Sequence, residues 1–225
     1  MISLLLPSRK RPAILRRMVN SVRDTATHPE HIEIVVRFDD DDETSAEEAR
    51  KDGLIVLVGP RLRAMTIYWN KCFEACKGNI VQQSNDDQVM VTKGWDIIVE
   101  DAFAACPDKI LLVHGDDGSG KMGKDSPHPF VHRRWVEIIG YFIPPFFSSD
   151  YGDTWINCCA HAIGRHRSLP FTIEHMHFIF GKAEIDETTK ERLQRHSADG
   201  VDQLYVDLEP LRQIDIEKLK GALNA

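Results

Sequence analysis

The sequence predicts an α/β fold, with a mostly parallel central sheet covered by helices in a single αβα sandwich. Short apolar segments of strand length alternate along the first half with segments whose apolar residues recur at helical spacing. Strands that are apolar on both faces are typical of a parallel sheet buried between two helical layers. Several of these segments end in acidic clusters, and open α/β sheets bind ligands beyond the carboxyl ends of their strands.

The first half of the chain contains the regular part of this pattern. Pro12 suits the first turn of a helix, and Gly78 is a typical helix stop. The apolar runs predict strands at 2–6, 32–38, 54–58, 79–83 and 110–114. The helical spacing predicts helices at 13–25, 44–51, 63–77 and 95–106.

The second half is less regular. Residues 115–126 are rich in Gly, Asp and Lys, which predicts a loop. Short strands are expected at 129–131 and 171–178, and a helix at 134–141. A further helix begins at a cap, Asp150 or Asp153, and ends at Gly164. The tail predicts two helical segments, at 187–197 and 215–223.

Composition limits the classes of protein that fit. The chain has 225 residues and a net charge of −7, and a nonspecific binder of phosphate backbones would be more basic. No apolar run approaches the roughly 20 residues of a membrane span, and the apolar start indicates a first strand rather than a signal peptide. Five cysteines, an odd number without CxxC pairs, favour reduced thiols and a cytoplasmic location.

Asn85, Asp86 and Asp87 directly follow the fourth predicted strand. Paired carboxylates at a strand tip suit Mg²⁺ or Mn²⁺, and such an ion usually shares its ligands with substrate phosphates. The pattern therefore predicts a metal site that holds a nucleotide diphosphate. The alternative is a solvated turn, because Asn and Asp are also favoured turn residues.

Four segments, taken in order, resemble a family 2-type glycosyltransferase of GT-A fold. They are Leu6-Pro7-Ser8-Arg9-Lys10-Arg11-Pro12, the acidic run 39–42, Asn70, and Asn85-Asp86-Asp87. The resemblance, which covers residues 1–180, implies a Rossmann-like nucleotide-diphospho-sugar transferase fold. It also implies one domain over 1–225, with a nucleotide-sugar-binding half at 1–115, an acceptor and catalytic half at 116–180, and a helical tail at 181–225.

The resemblance also implies which residues contact the donor. In such enzymes the first loop borders the base and ribose, and a residue that matches Asp39 accepts a hydrogen bond from the uracil or ribose. The four-carboxylate run leaves open which side chain points inward, with Asp39 and Asp41 favoured, and solvated surface segments are the alternative. The expected donor-contacting residues are Pro7, Ser8, Arg9, Arg11, Asp39, Asp41, Arg63, Asn70, Asn85 and Asp86.

The metal-binding DxD position of the family matches Asn85-Asp86-Asp87, although Ser84 or Asn85 stands in place of the first acid. Asp86 and Asp87 therefore remain as the expected ligands. The resemblance implies that a C-terminal histidine joins them, His175 first and His177 second, and residues i and i+2 of a strand share a face. Imidazole with carboxylate suits Mn²⁺ better than Mg²⁺. Histidines unconnected with a metal are the alternative.

An acceptor hydroxyl needs a base, and the resemblance implies an aspartate at the start of a helix in the second half. Asp153 matches this position best, and Asp150 is the alternate. A carboxylate in a partly apolar cleft beside Tyr151 and Trp155 has a raised pKa, which suits a base. Helix capping is the alternative role for both aspartates.

The resulting hypothesis is a metal-dependent, inverting transferase that moves a sugar from a nucleotide-diphosphate sugar, UDP-linked as first choice, to a hydroxyl acceptor. The acceptor is left open between a glycan and a modified DNA base. Compact transferases that resemble this chain are also encoded by bacteriophages, for which the host cytoplasm is the expected location. Two alternatives stay open: a sugar-phosphate nucleotidyltransferase, and a domain that binds nucleotide sugar without turnover.

Overall fold

The computed structural model describes residues 1–118 and 125–224, and its strands form one eight-stranded sheet. The strands are β1 (Ile2–Pro7), β2 (Ile32–Asp39), β3 (Ile55–Gly59), β4 (Ile80–Gln83), β5 (Gln88–Met90), β6 (Leu112–Asp116), β7 (Phe130–His132) and β8 (His166–His175). The helices are α1 (Pro12–Thr25), α2 (Glu43–Lys51), α3 (Thr66–Ala75), α4 (Trp95–Ala104), α5 (Arg133–Ile139), α6 (Gly152–Ala162), α7 (Glu187–Ala198), α8 (Val201–Asp207) and α9 (Glu209–Leu223).

The order of strands across the sheet is β3-β2-β1-β4-β7-β6-β8-β5. β1 pairs in parallel with β2 and β4, and β2 pairs in parallel with β3. Two strands run against the rest: β7 lies between β4 and β6, and β5 pairs with the last residues of β8. β1 to β4 therefore end at the same edge of the sheet, and the predicted mostly parallel α/β architecture is confirmed.

Both faces of the sheet are covered, and each face has its own apolar core. In β1, Leu4 and Leu6 belong to one core and Leu5 to the other, as the alternation of strand side chains requires. The first core packs α1, α2 and α4 against the sheet, and the second packs α3, α5, α6 and α9. This double-sided burial explains the unbroken apolar runs of the strands and confirms the αβα sandwich.

Several elements differ from the sequence-based predictions. β5 is not among the predicted strands, because three residues after a turn carry too little periodicity. β8 begins at His166 rather than at residue 171, because Arg167 and Ser168 are exposed and hide the alternation. The tail forms three helices rather than two. Half of the loop predicted at 115–126, residues 119–124, lies outside the described residues, and its first two residues belong to β6.

The described part of the chain contains no helix with both the length and the apolar character needed to cross a lipid bilayer.

Candidate functional site

The carboxyl ends of β1, β2 and β4 face a cleft with a volume of about 430 Å³, and α7 covers its opposite side. The cleft brings together residues that are far apart in the sequence, from the first loop to the tail. The predicted site residues that line it are Pro7, Ser8, Arg9, Arg11, Asp39, Asn85, Asp86, Asp87, Asp150, Asp153, His175 and His177.

Asp41, Arg63 and Asn70 do not line this cleft. Asp41 accepts a hydrogen bond from Arg9 at 2.7 Å, outside the cleft wall. The side chain of Arg63 is 82% exposed and pairs with Asp199. The amide of Asn70 has a structural role, because its Nδ2 donates to the carbonyl of Ile143 at 2.6 Å. The structure thus places all three outside the cleft lining, with Asp41 still in contact with Arg9.

Asp86 is tied to the loop after β1. Its carboxylate is buried, accepts a hydrogen bond from Ser8 Oγ at 2.8 Å, and lies 3.4 Å from a guanidinium nitrogen of Arg11. Burial raises the pKa of Asp86, and the neighbouring Asp87 adds to the rise, while Arg11 opposes it. Asp86 therefore has polar partners of its own and is separate from the histidines expected to share a metal with it.

Asp87 lies beside His175 and His177 instead. One ligand atom from each of these three residues lies within 4.8 Å of the other two. Nε2 of His175 is 3.4 Å from Oδ1 of Asp87, and that oxygen, which is shielded from solvent, accepts no hydrogen bond within the described residues. A carboxylate oxygen without a hydrogen bond and two imidazoles at this spacing fit a divalent cation such as Mn²⁺.

The protonation of this trio also suits a cation. Burial opposes ionisation of Asp87, but His175 and the more distant His128 and His177 outweigh it and lower the pKa of Asp87. Burial and the adjacent His175 lower the pKa of His177 to about 4. Near neutral pH the trio therefore offers an ionised carboxylate and, at His177, a neutral imidazole, which are the forms that bind metals.

The backbone holds the trio together through β5, the strand that the sequence does not reveal. Asp87 directly precedes β5, and Gln88 pairs with His175 of β8. The backbone N–H of Met176 donates to the carbonyl of Asp87 at 2.8 Å. His128, which the sequence reasoning also misses, is fully buried behind the trio, with its ring 4.8 Å from the ring of His175.

Asp39 ends β2 and is surrounded by donors. Its side chain is buried and accepts a hydrogen bond from the hydroxyl of Tyr68, which itself accepts from the backbone N–H of Leu62 at 2.9 Å. Nε of Arg9 lies 3.3 Å and Nε of Arg61 3.7 Å from the same carboxylate. Burial, together with the hydrogen bond to Asp39, raises the pKa of Tyr68 to about 12, so the phenol stays protonated.

Asp150 and Asp153 lie at the start of α6, but neither caps it, because the residue before the helix is Tyr151, with a φ of 69°. A Cβ at Gly152 would lie 2.7 Å from Cγ2 of Ile143, so glycine allows the helix to begin close to the cleft. The carboxylate of Asp150 accepts a hydrogen bond from Nη1 of Arg192 at 2.5 Å and lies 2.7 Å from Nδ1 of His196. Burial and the charge of Asp150 raise the pKa of Asp153 to about 6.

The tail helix α7 supplies cleft residues that the sequence reasoning does not identify. Its cleft-facing residues recur every three or four positions and therefore share one side of the helix. They are Thr188, Thr189, Glu191, Arg192 and Arg195. Arg11 donates to both carboxylate oxygens of Asp186, which caps α7, and Glu191 pairs with Arg9 and Arg61. The polar face of α7 was the available signal, but no sequence rule indicates its partners.

A second trio, Asp125, His161 and His166, also has ligand atoms within 4.8 Å of one another. The rings of the two histidines are stacked, with centroids 3.9 Å apart and planes tilted by 19°. Asp125 and His161 are exposed, and Nε2 of His166 is 2.8 Å from Oδ1 of Asn157. Because the lone pairs of parallel imidazoles do not converge, this trio suits a cation less well than Asp87, His175 and His177 do.

Comparison with solved structures shows proteins of the same fold at low sequence identity. The mannosyltransferase PcManGT from Pyrobaculum calidifontis, in complex with GDP-Man and Mn²⁺, is 11% identical, with a TM-score of 0.60 over 99% of this chain and 74% of that chain. S. aureus TarS 1–349 in complex with UDP is 16% identical, with a TM-score of 0.55 over 88% of this chain and 72% of that chain. The chain spans 43% of a longer TarS structure, at 16% identity and a TM-score of 0.55 over 87% of its own length.

Comparison with curated proteins finds no match, whereas the family model described as "Glycosyl transferase family 2" matches residues 3–170. The matched segment contains the strand ends, Asp87 and Asp153, and ends before His175 and α7. Because this model covers most of the sequence and the solved structures share the fold, the chain belongs to glycosyl transferase family 2, a family of GT-A-fold glycosyltransferases.

Proposed function

We propose that the protein is a metal-dependent, inverting hexosyl- or pentosyltransferase. It moves a sugar from a nucleotide-diphosphate sugar, UDP-linked as first choice, to a hydroxyl of a glycan or a modified DNA base. The observation that carries this proposal is that one cleft contains both the trio of Asp87, His175 and His177, whose spacing fits a cation, and a partly buried carboxylate with a raised pKa, Asp153. The neighbours in complex with UDP or with GDP-Man and Mn²⁺ support a nucleotide-sugar donor.

Asp87, His175 and His177 are the residues that would hold the cation in this proposal. When bound, Mn²⁺ or Mg²⁺ neutralises the charge that develops on the departing diphosphate. Arg11 lies in the same cleft and is already paired with Asp86 and Asp186, so its positive charge is held at the site. Burial opposes the charge of Arg11, but these two carboxylates raise its pKa overall and keep it protonated.

Asp153 is the proposed base. In a single displacement, the acceptor oxygen forms a bond to the anomeric carbon as the bond from that carbon to the diphosphate oxygen breaks. The hydroxyl proton passes to the carboxylate of Asp153, and the diphosphate leaves with the bonding electrons. Asp153 is preferred over Asp150, because Asp150 is already engaged by Arg192 and His196. A pKa of about 6 leaves Asp153 ionised and basic near neutral pH.

The direct test incubates the purified protein with UDP-sugars and GDP-sugars in the presence of Mn²⁺ and measures released nucleotide diphosphate. We expect release that stops with a chelator and falls by about 1,000-fold in Asp87→Ala, because a bound cation contributes several kcal/mol to such a step. Asp24→Ala, which removes an exposed carboxylate of α1, is the matched control and should retain activity. Release that continues unchanged with the chelator or in Asp87→Ala would contradict the proposal.

A further inference from the structure

Arg195 is a cation of the cleft whose side chain has no partner among the described residues. It lies on α7, lines the cleft, and has its Nε shielded from solvent. Within residues 1–118 and 125–224, its guanidinium makes no hydrogen bond or ion pair, whereas Arg9, Arg11, Arg61 and Arg192 are each paired with a carboxylate. A shielded donor without an acceptor costs free energy, and a ligand that brings an acceptor would remove that cost.

The contacts of α7 place Arg195 at the Asp39 end of the cleft. Glu191, one helical turn before Arg195, pairs with both Arg9 and Arg61, and these two arginines flank Asp39. Asp199, four residues after Arg195, pairs with Arg63 in the segment that follows β3. Arg195 therefore lies on the helix between two contacts to the loop that adjoins Asp39.

The electrostatic surroundings of Arg195 agree with this placement. Burial lowers the pKa of Arg195, and the nearby positive charge of Arg61 adds to the fall. Glu191, Tyr68 and Asp39 act in the opposite direction. Arg61 and Arg195 repel each other beside the buried carboxylate of Asp39, so this part of the cleft is strongly polar. An uncharged ligand with both donors and acceptors can form hydrogen bonds to these groups.

The Asp39 end is distant from the cation-binding trio. β2, which ends at Asp39, is separated from β4 by β1, which corresponds to about 10 Å across the sheet. Asp87 and its histidines lie beyond β4, on the side of β8. If the diphosphate lies at the trio, as the proposed function requires, the nucleobase lies at the Asp39 end, beside Arg195.

We propose that Arg195 is a specificity-determining residue, which acts beside the Asp39 already expected at the base to select the nucleobase of the donor; this inference rests on the proposed function. The carboxylate of Asp39 only accepts hydrogen bonds, and the guanidinium of Arg195 only donates them. Uracil and guanine present a ring N–H beside a carbonyl oxygen, which matches this pair. Cytosine and adenine present a ring nitrogen without a hydrogen beside an amino group. The acceptor Asp39 would then face an acceptor, and the donor Arg195 would face a donor. Sites built on hydrogen bonds reject such mismatches strongly.

The test measures dissociation constants for UDP, CDP, GDP and ADP by calorimetry, with Mn²⁺ present. We expect the wild type to bind UDP or GDP at least 10-fold more tightly than CDP and ADP. Arg195→Ala should weaken that preferred nucleotide by about 10-fold, the effect of a hydrogen bond to a charged group, and leave CDP and ADP unchanged. Lys190→Ala, which removes an exposed cation from the same helix, should bind all four as the wild type does.

The other outcomes separate this inference from the proposed function. If Arg195→Ala weakens all four nucleotides equally, Arg195 binds the phosphates and the inference is overturned, while the proposed function stands. If Arg195→Ala binds as the wild type does, the inference fails in the same way. If the wild-type protein binds none of the four, the proposed function fails and the inference fails with it.

Discussion

The cleft has two walls of opposite character. The first wall is formed by strand ends and the start of α6, and the strands behind it are buried almost completely: all of β4, and all of β1 except Pro7. The second wall is α7, a fully described helix in which burial is limited to Thr189. Ion pairs hold α7 to the first wall, namely Asp186 with Arg11, Glu191 with Arg9 and Arg61, and Arg192 with Asp150.

This difference indicates that the two walls have different roles. Burying an aliphatic side chain stabilises a protein by about 1.5–3 kcal/mol, so the core fixes the strand ends and the carboxylates that follow them. A solvent-accessible ion pair contributes about 0.2–1 kcal/mol, so α7 is held more weakly. Groups that need fixed geometry, Asp87 and Asp153, lie on the first wall, whereas α7 offers side chains that can exchange partners when a ligand enters.

The largest expected effect is a loss of kcat, which should differ between variants of the two walls. Asp153→Asn should lower kcat by about 1,000-fold with little change in donor affinity, because it removes only the proposed base. Glu191→Gln on α7 should lower kcat by less than about 10-fold, since it removes one accessible ion-pair partner. Steady-state kinetics of both variants check this, and equal losses of kcat would contradict different roles for the two walls.

The proposed role of Asp153 also predicts how turnover depends on pH. The pKa of Asp153 is raised to about 6, so the carboxylate is protonated and inactive below that pH. We expect kcat to fall about 10-fold per pH unit below pH 6 and to be level above pH 7. Measuring Mn²⁺ affinity over the same pH range separates this effect from loss of metal, and an acid limb that persists in Asp153→Asn would contradict the assignment.

The second effect concerns the stability of the two walls. Leu5→Ala leaves a cavity in a fully buried strand and should lower the free energy of unfolding by about 3 kcal/mol. Leu193→Ala, the same change on α7 at a side chain 41% exposed, should change it by less than about 0.5 kcal/mol. Urea unfolding of both variants gives the values. A large loss from Leu193→Ala would show that α7 is held by apolar packing after all.

The third effect tests the donors around Asp39. Tyr68→Phe removes the hydroxyl that donates to Asp39 and leaves a buried carboxylate oxygen without that partner. The free energy of unfolding should fall by about 1–2 kcal/mol. Tyr151→Phe, which removes a hydroxyl from the exposed Asp202, is the matched control and should cost less than about 0.5 kcal/mol. Equal costs would mean that burial of Asp39 does not matter.

The smallest effect is the response to salt. In 1 M NaCl charges more than about 3 Å apart are screened, so the ion pairs of α7 weaken. Hydrogen exchange should become faster in α7 relative to low salt, while exchange in β1 and β4 stays the same. An unchanged exchange rate in α7 would indicate that something other than charge keeps it on the cleft.

The sequence predicts the first wall far better than the second. The sequence reveals β1, β2 and β4 because burial on both faces produces unbroken apolar runs, and it reveals Asp87 because that residue follows such a run. The sequence does not reveal the partners of α7, because its contacts join residues far apart in the chain, 175 positions for Arg11 and Asp186 and 130 for Arg61 and Glu191. No local periodicity records a long-range ion pair.

For individual site residues, the sequence does not show in which direction each side chain points. The sequence places Asp86 and Asp87 side by side but does not tell which one turns toward the histidines. The structure turns Asp87 to His175 and Asp86 to Ser8, because β5 pairs with β8 directly after Asp87. Asn70 falls on the helix predicted from spacing, yet its amide holds the backbone of residues 142–143 rather than lining the cleft.

The proposed function depends most on Asp87, His175 and His177 holding a divalent cation at the diphosphate end of the cleft. Crystals grown with UDP or GDP and Mn²⁺, measured at the manganese absorption edge, test it directly. We expect one strong anomalous peak among the carboxylate of Asp87 and the rings of His175 and His177, in contact with nucleotide phosphate. A peak at Asp125, His161 and His166 instead, or none in the cleft with nucleotide bound, would contradict it.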